Sequence, residues 1–476
     1  MKLTLTSKHA RLLLILVLLL AAFLFRLGFG LALPFWPGDS LQAYLVGLKC
    51  FTTGTWPFFG PDLGGDETTH YNQIPGALEG LVVALPLKIW PIPEAPFIFL
   101  NLITLVAIAL FAWYCSKRLP RLPLAFIFIL LVVLPWTLHE NAGMITRAWC
   151  LFSSILFFIG FFESLPGFSL KILSPRQSNA LMGFAFLWQA QFHMSWIYLG
   201  AFFGLSLIFQ WKEKPASVPP ALLFFLLGSL PMGALILPTL IKYGGIPSGN
   251  NSESYTTLFC FENFKQGLTI LARWLSLASY EMPFFLDTPG VHGFDNWGSA
   301  SGPHWAGWAW PPSFQPGHST HARLEFLMGS PFLLYPGIFL WIAGLFQALG
   351  LLVMGFIPKH ESKDWNLVRG LALLTFVMVW ASFWFTYKWP LSHIYYDATF
   401  PLVFLYSLYC WNTLAASKAW RVFGVVFLMA AIVFQTAYAY RIYPVYSIYM
   451  DRDKIVRAIH EKNYHWVGER RPSGYY

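Results

Sequence analysis

Apolar runs of about twenty residues recur through most of this chain, and each is long enough to cross a ~30 Å hydrocarbon core as a helix. Soluble domains carry about 25% charged residues; here 11% of 476 residues are charged and 57% are hydrophobic. That balance excludes a soluble protein of two or three domains, and five cysteines exclude a disulfide scaffold. The sequence predicts an all-α, polytopic membrane protein.

The first run follows Lys2, Lys8 and Arg11 and reaches about Leu33, where Pro34-Phe35-Trp36-Pro37 replaces any small-residue cleavage site. It reads as an uncleaved first helix with a cytoplasmic N-terminus. Further spans are expected at about 96–115, 123–138, 147–165, 178–192, 195–211, 219–241, 332–357, 367–386, 397–415 and 422–440. The total is about 11 transmembrane helices, with a range of 10–13 because elements such as the pair 178–211 can also be read as one bent helix. Residues 34–95 form an external loop with two amphipathic stretches, about 40–54 and 76–90, read as surface helices because Pro75, Pro86, Pro91 and Glu79 interrupt or flank the second. A second external loop covers 242–331. The membrane domain is thus 1–440, followed by a polar tail, 441–476, expected outside as a solvated helix that frays.

Charge supports this arrangement. The cytoplasmic loops hold fifteen Lys and Arg against Glu163, Glu213, Glu361 and Asp364, whereas the external segments before residue 441 hold fourteen acids and eight bases. The formal charge of +9 therefore reflects topology under the positive-inside rule and implies no nucleic-acid partner.

Three constellations can carry chemistry. Pro37-Gly38-Asp39-Ser40-Leu41-Gln42-Ala43-Tyr44 follows helix 1 directly. A carboxylate at that boundary is partly desolvated, which moves it towards a general base; Asp39 or Ser40 can equally cap the following helix. The glycine-rich run Gly60 to Gly76 contains Asp62, Asp66, Glu67 and His70. Clustered oxygens suit an acceptor site or a divalent cation such as Mg²⁺ or Mn²⁺, or simply an exposed polar loop, and the spacing matches no EF-hand or zinc pattern. The third lies in the stretch His292 to His321, with Trp297, His304, Trp305, Trp308, Trp310 and His318. Trp305 and Trp308 are candidates for stacking on a sugar's apolar face; an interfacial aromatic belt is the alternative. No certain cofactor or metal follows from any of these. Cys50 and Cys260 both fall outside, with no spacing that demands a bond, and Cys115, Cys150 and Cys410 read as small apolar helix residues.

The order of helix 1, Gly38-Asp39-Ser40 with Tyr44, a loop, and then Tyr71-Asn72-Gln73-Ile74-Pro75-Gly76-Ala77-Leu78 resembles the membrane-integral GT-C glycosyltransferases. The likeness is to the protein-mannosyltransferase and aminoarabinose-transferase group and its bacterial relatives. Thr146-Arg147, Gln191-Phe192-His193-Met194-Ser195, and His393-Ile394-Tyr395-Tyr396 with Phe400-Pro401 extend it. The chain departs from that pattern at Ser40, where the group has Glu, and at Gly76, where it has a second proline.

The resemblance implies a polyprenyl-phosphate sugar donor and an acceptor hydroxyl on a protein, lipid or glycan. It also implies transfer with inversion at the external face, with Asp39 as base and Arg147, Lys388, His393 and Tyr395 at the donor phosphate. Glu140 is the structural alternative partner for Arg147, and Lys388 can equally be a snorkelling anchor. A bacterial inner membrane, with an external or periplasmic site, is the expected location. A multi-pass transporter or lipid flippase is the alternative function; inverted repeats and charged mid-membrane helices, which it calls for, are not evident.

Overall fold

A computed structural model describes residues 8–33, 39–62, 73–139, 141–143, 148–193, 195–243, 328–356, 363–384, 398–446, 448–450 and 452–468. These are mostly helical. Among them, six helices are long and apolar enough to cross a membrane: Leu12–Ala32, Ala95–Ser116, Pro215–Tyr243, Pro331–Gly355, Asp364–Ala381 and Lys418–Arg441. The chain is therefore a multi-pass integral membrane protein.

In chain order these lie in α1 (Lys8–Ala32), α4 (Ala95–Ser116), α10 (Val218–Tyr243), α11 (Pro331–Phe356), α12 (Lys363–Trp384) and α14 (Lys418–Tyr446). Five shorter helices stand where further spans are expected: α5 (Leu124–Val133), α7 (Cys150–Ser164), α8 (Pro175–Ala190), α9 (Trp196–Glu213) and α13 (Phe400–Leu414). The expected span 123–138 is broken. Pro135 disfavours helical backbone in the residue before it, and Leu134 is extended at ψ 140°. The chain then resumes as a single turn, α6 (Pro135–Leu138). The stretch 178–211 is two helices, α8 and α9, and a reciprocal Ser174–Gln177 capping box starts the first of them.

Long rows of large apolar side chains face outward on α1, α10, α11 and α14, among them Leu13, Leu20, Leu226, Leu230, Phe346 and Val425. In water such rows are unfavourable; in a bilayer they are the lipid-facing surface. Inward, one large apolar cluster fills the bundle.

A second, smaller cluster lies at one end of the bundle and gathers the first loop. There α2 (Asp39–Thr53) packs on α3 (Leu78–Ile89), the two helices expected from the amphipathic stretches. At 15 and 12 residues, a rise of 1.5 Å per residue makes them about 22 and 18 Å long, short of a ~30 Å core. Between them is the only β pairing among the described residues, β1 (Phe59–Asp62) antiparallel to β2 (Gln73–Pro75), an addition to the expected all-α plan.

Over its described residues 452–468 the tail is folded and packed. It forms α15 (Arg452–His460) and α16 (His465–Gly468), and Ile455, Ala458, Ile459 and Val467 are buried in the same cluster as Leu41, Tyr44 and Leu48 of α2. Three apolar residues at i, i+3 and i+4 give α15 one buried face. Tail and first loop therefore share one end of the bundle.

Candidate functional site

Asp39 opens α2, which puts it in the first helical turn, where the helix dipole favours negative charge. Asp62 ends β1, opposite Gln73, so β1 and β2 carry the two ends of the run that bears Asp66, Glu67 and His70. Those three residues lie outside the described residues, as do Arg147, Lys388, His393, Tyr395, Trp305 and Trp308. The described residues show a frame, the chain on either side of Asp39 and of Arg147.

That frame converges. Gly30 of α1 meets the turn 141–143 so closely that a methyl group there would fall 2.6 Å from the Ala142 carbonyl carbon. Gly143 in turn packs against Leu33, the last described residue before Asp39. Ala148, Trp149 and Cys150, which follow Arg147, share the cluster of Leu41 and Tyr44 on α2. The chain flanking Asp39 and the chain flanking Arg147 thus meet at one end of the bundle.

Polar side chains hold the turn in place. Arg26, fully buried in α1, donates from Nη1 to the Thr137 carbonyl at 2.6 Å and from Nη2 to the Asn141 carbonyl at 3.0 Å. Asn101 of α4 donates from Nδ2 to Ala142 O at 2.9 Å, and Asn141 Oδ1 accepts from Leu151 N at 3.3 Å, near the start of α7. His139 lies 2.8 Å from Gln435 Oε1 of α14, whose Nε2 donates to Val133 O at 3.3 Å. Irregular backbone at membrane depth is tolerated only when its carbonyls are satisfied in this way.

Gln191 joins two of the motifs. Its Oε1 accepts from Leu78 N at 3.4 Å, and its Nε2 donates to Met232 O of α10 at 3.2 Å. Gly76 lies directly against it, with φ +127°. Proline is locked near −65°, so the backbone itself forbids a second proline at this position. Ala77 N donates to Leu235 O at 3.3 Å, three residues before Pro238 interrupts the ladder of α10. Thr239 Oγ1 donates to Phe58 O at 2.6 Å, tying α10 to β1.

Glu79 of α3 is buried, its carboxylate against Gly60 of β1. Tyr44 of α2 donates to Pro93 O at 3.0 Å; burial first, and the Glu94 charge second, push its phenol well above the ordinary range. Burial also raises the Cys50 thiol, partly countered by Lys88.

Among the described residues no group of three His, Cys, Asp or Glu side chains is arranged to hold a metal ion. Among the polar anchors of this frame that were not singled out from sequence are Arg26, Asn101 and Gln435. A charged or amide residue inside an apolar run was the available signal for each. Comparison with protein-family models, curated proteins and solved structures finds no match to this chain.

Proposed function

We propose that this protein is a membrane-integral glycosyltransferase of GT-C type, with eleven spans and its site at the outer face of a bacterial inner membrane. It moves a sugar from a polyprenyl-phosphate donor to an acceptor hydroxyl on a protein, lipid or glycan. The observation that carries the reading is the meeting of the Asp39-flanking end of α1 with the turn that leads to Arg147; Trp149, two residues past Arg147, stacks on Phe192, the neighbour of Gln191.

In this reading the Asp39 carboxylate takes the acceptor proton, and the acceptor oxygen attacks the anomeric carbon. The bond from that carbon to the phosphate oxygen breaks, with inversion, and the lipid phosphate leaves. Arg147, Lys388, His393 and Tyr395 stabilise its charge. Asp62, Asp66, Glu67 and His70 serve the acceptor side or a divalent cation, and Trp305 and Trp308 stack on the sugar.

The test supplies membranes containing the protein with labelled polyprenyl-phosphate sugars. The wild type transfers label, and Asp39→Asn falls by about 10²–10⁴-fold, the range of a general base. Equal transfer by the two removes Asp39 as the base. No transfer from any such donor, with solute or lipid movement in its place, replaces the reading with transport.

A further inference from the structure

The C-terminal helices hold α2 from outside, at several independent points. Arg452 Nε donates to Glu94 Oε1 at 2.7 Å, and the neighbouring carbonyl, Pro93 O, is the acceptor for Tyr44 of α2. The corner between α3 and α4 is therefore gripped by tail and α2 together. Ile455, Ala458 and Ile459 bury their side chains in the cluster that contains Leu41, Tyr44 and Leu48. Two cation–π contacts run in opposite directions across the contact: Lys462 Nζ lies 3.6 Å from the Phe51 ring centroid, and Lys49 Nζ of α2 lies 5.7 Å from that of Tyr464.

The backbone adds a separate observation. After α15, Asn463 N bonds back to Ala458 O at 3.0 Å, and Lys462 sits at φ +52°. This is a Schellman ending, whose left-handed position favours glycine. A lysine held there is an outlier of the kind that points to a role, and its ammonium is the group over Phe51.

We propose that α15 and α16 are a clasp that holds α2, the helix beginning at Asp39, in its working pose, so that releasing the tail disables the site and leaves the membrane bundle intact. The effect on transfer rests on the glycosyltransferase reading; the effect on α2 does not.

The experiment uses the full chain with Cys260→Ser and a reporter, Ala458→Cys, whose thiol is buried while α15 is docked. Ile455→Asp puts a charge into the buried face. Lys462→Gly relieves the left-handed backbone but deletes the contact with Phe51. Expected with Ile455→Asp are at least tenfold faster maleimide labelling at 458, at least tenfold faster hydrogen exchange across 41–51, unchanged exchange in α4 and α7, and a fall of at least tenfold in kcat with donor KM unchanged. Lys462→Gly moves the same readouts severalfold; were the tail only a self-contained helix ending, this variant would tighten it.

Unchanged labelling at 458, or labelling without faster exchange in α2, overturns the clasp. Faster exchange in α2 with unaltered kcat overturns its bearing on the site. If the wild type transfers no sugar while α2 loosens as expected, the clasp stands and the glycosyltransferase reading fails.

Discussion

Gly76→Ala tests whether the Gly76–Gln191 contact shapes the site. An added Cβ lands on Gln191 Oε1 and lies 2.7 and 2.8 Å from Cγ and Cδ, while the backbone stays at φ +127°. The backbone strain costs about 1–3 kcal/mol. Gln191 escapes the clash only by giving up Leu78 N–H and Met232 O, at about 0.5–1.5 kcal/mol for each bond. Together these give a loss of about 2–6 kcal/mol. Gln191→Ala alone loses the same two bonds and a third, from Nε2 to Leu187 O at 3.3 Å, about 1.5–4.5 kcal/mol in all.

In Gly76→Ala/Gln191→Ala the two shared bonds, to Leu78 N–H and Met232 O, are lost once rather than twice. The double variant is therefore more stable than the sum of the singles by about 1–3 kcal/mol. Equilibrium unfolding in mixed detergent micelles measures all four corners of the cycle. Additivity within about 0.5 kcal/mol refutes the contact, and a Gly76→Ala loss under about 1 kcal/mol refutes the backbone argument.

Glu163 organises the opposite end of α7, accepting from Tyr114 Oη at 2.8 Å and from Ser169 Oγ, Leu170 N and Ile172 N at 2.9 Å each. Glu163→Ala leaves two backbone N–H groups without an acceptor, at about 1–3 kcal/mol each, and Glu163→Gln is expected to lose about half as much. Unfolding measures both, and losses under about 0.5 kcal/mol refute the role. For sidedness, exposed Thr53→Cys and His460→Cys react with an impermeant maleimide from one face of sealed vesicles, and Lys214→Cys from the other. Labelling of 53 and 460 from opposite faces contradicts the docking of tail on first loop.

Much of the fold was legible because membrane helices are written in long runs. The two helices of the first loop were legible too, since prolines at 75 and 91 bound the second stretch and its ends agree closely with α3. Elsewhere a local signal was outweighed. Apolar continuity across 123–138 hid the break that Pro135 imposes, and the charge of the tail hid the i, i+3, i+4 pattern of Ile455, Ala458 and Ile459. The contact of Gly76 with Gln191 joins positions 115 residues apart, and no local pattern encodes a pairing at that distance. The departure at Gly76 was visible in sequence, but its cause, a positive φ, belongs to the backbone.

The distribution of polar anchors then says where reactivity belongs. Arg26, Asn101, Asn141 and Gln191 each hydrogen-bond a backbone group of a turn, of the one-turn α6 or of a helix start. All act at the end of the bundle that carries α2. A chain seeking only stability in a bilayer would close those turns into continuous helix, because each free carbonyl at that depth costs several kcal/mol, on the order of an unmade hydrogen bond in hydrocarbon. Broken helices supported by buried polar side chains are instead the form that backbone takes where it is buried in protein or lines a cavity. At the far end, Glu163 and Arg118 tie down the connection 165–172, and Arg121 bonds to Asn412 and Thr413 in the last turn of α13. What sets the α2 end apart is that the chain flanking Asp39 meets the chain flanking Arg147 there, and that meeting is the physical reason to seek the chemistry beside Asp39.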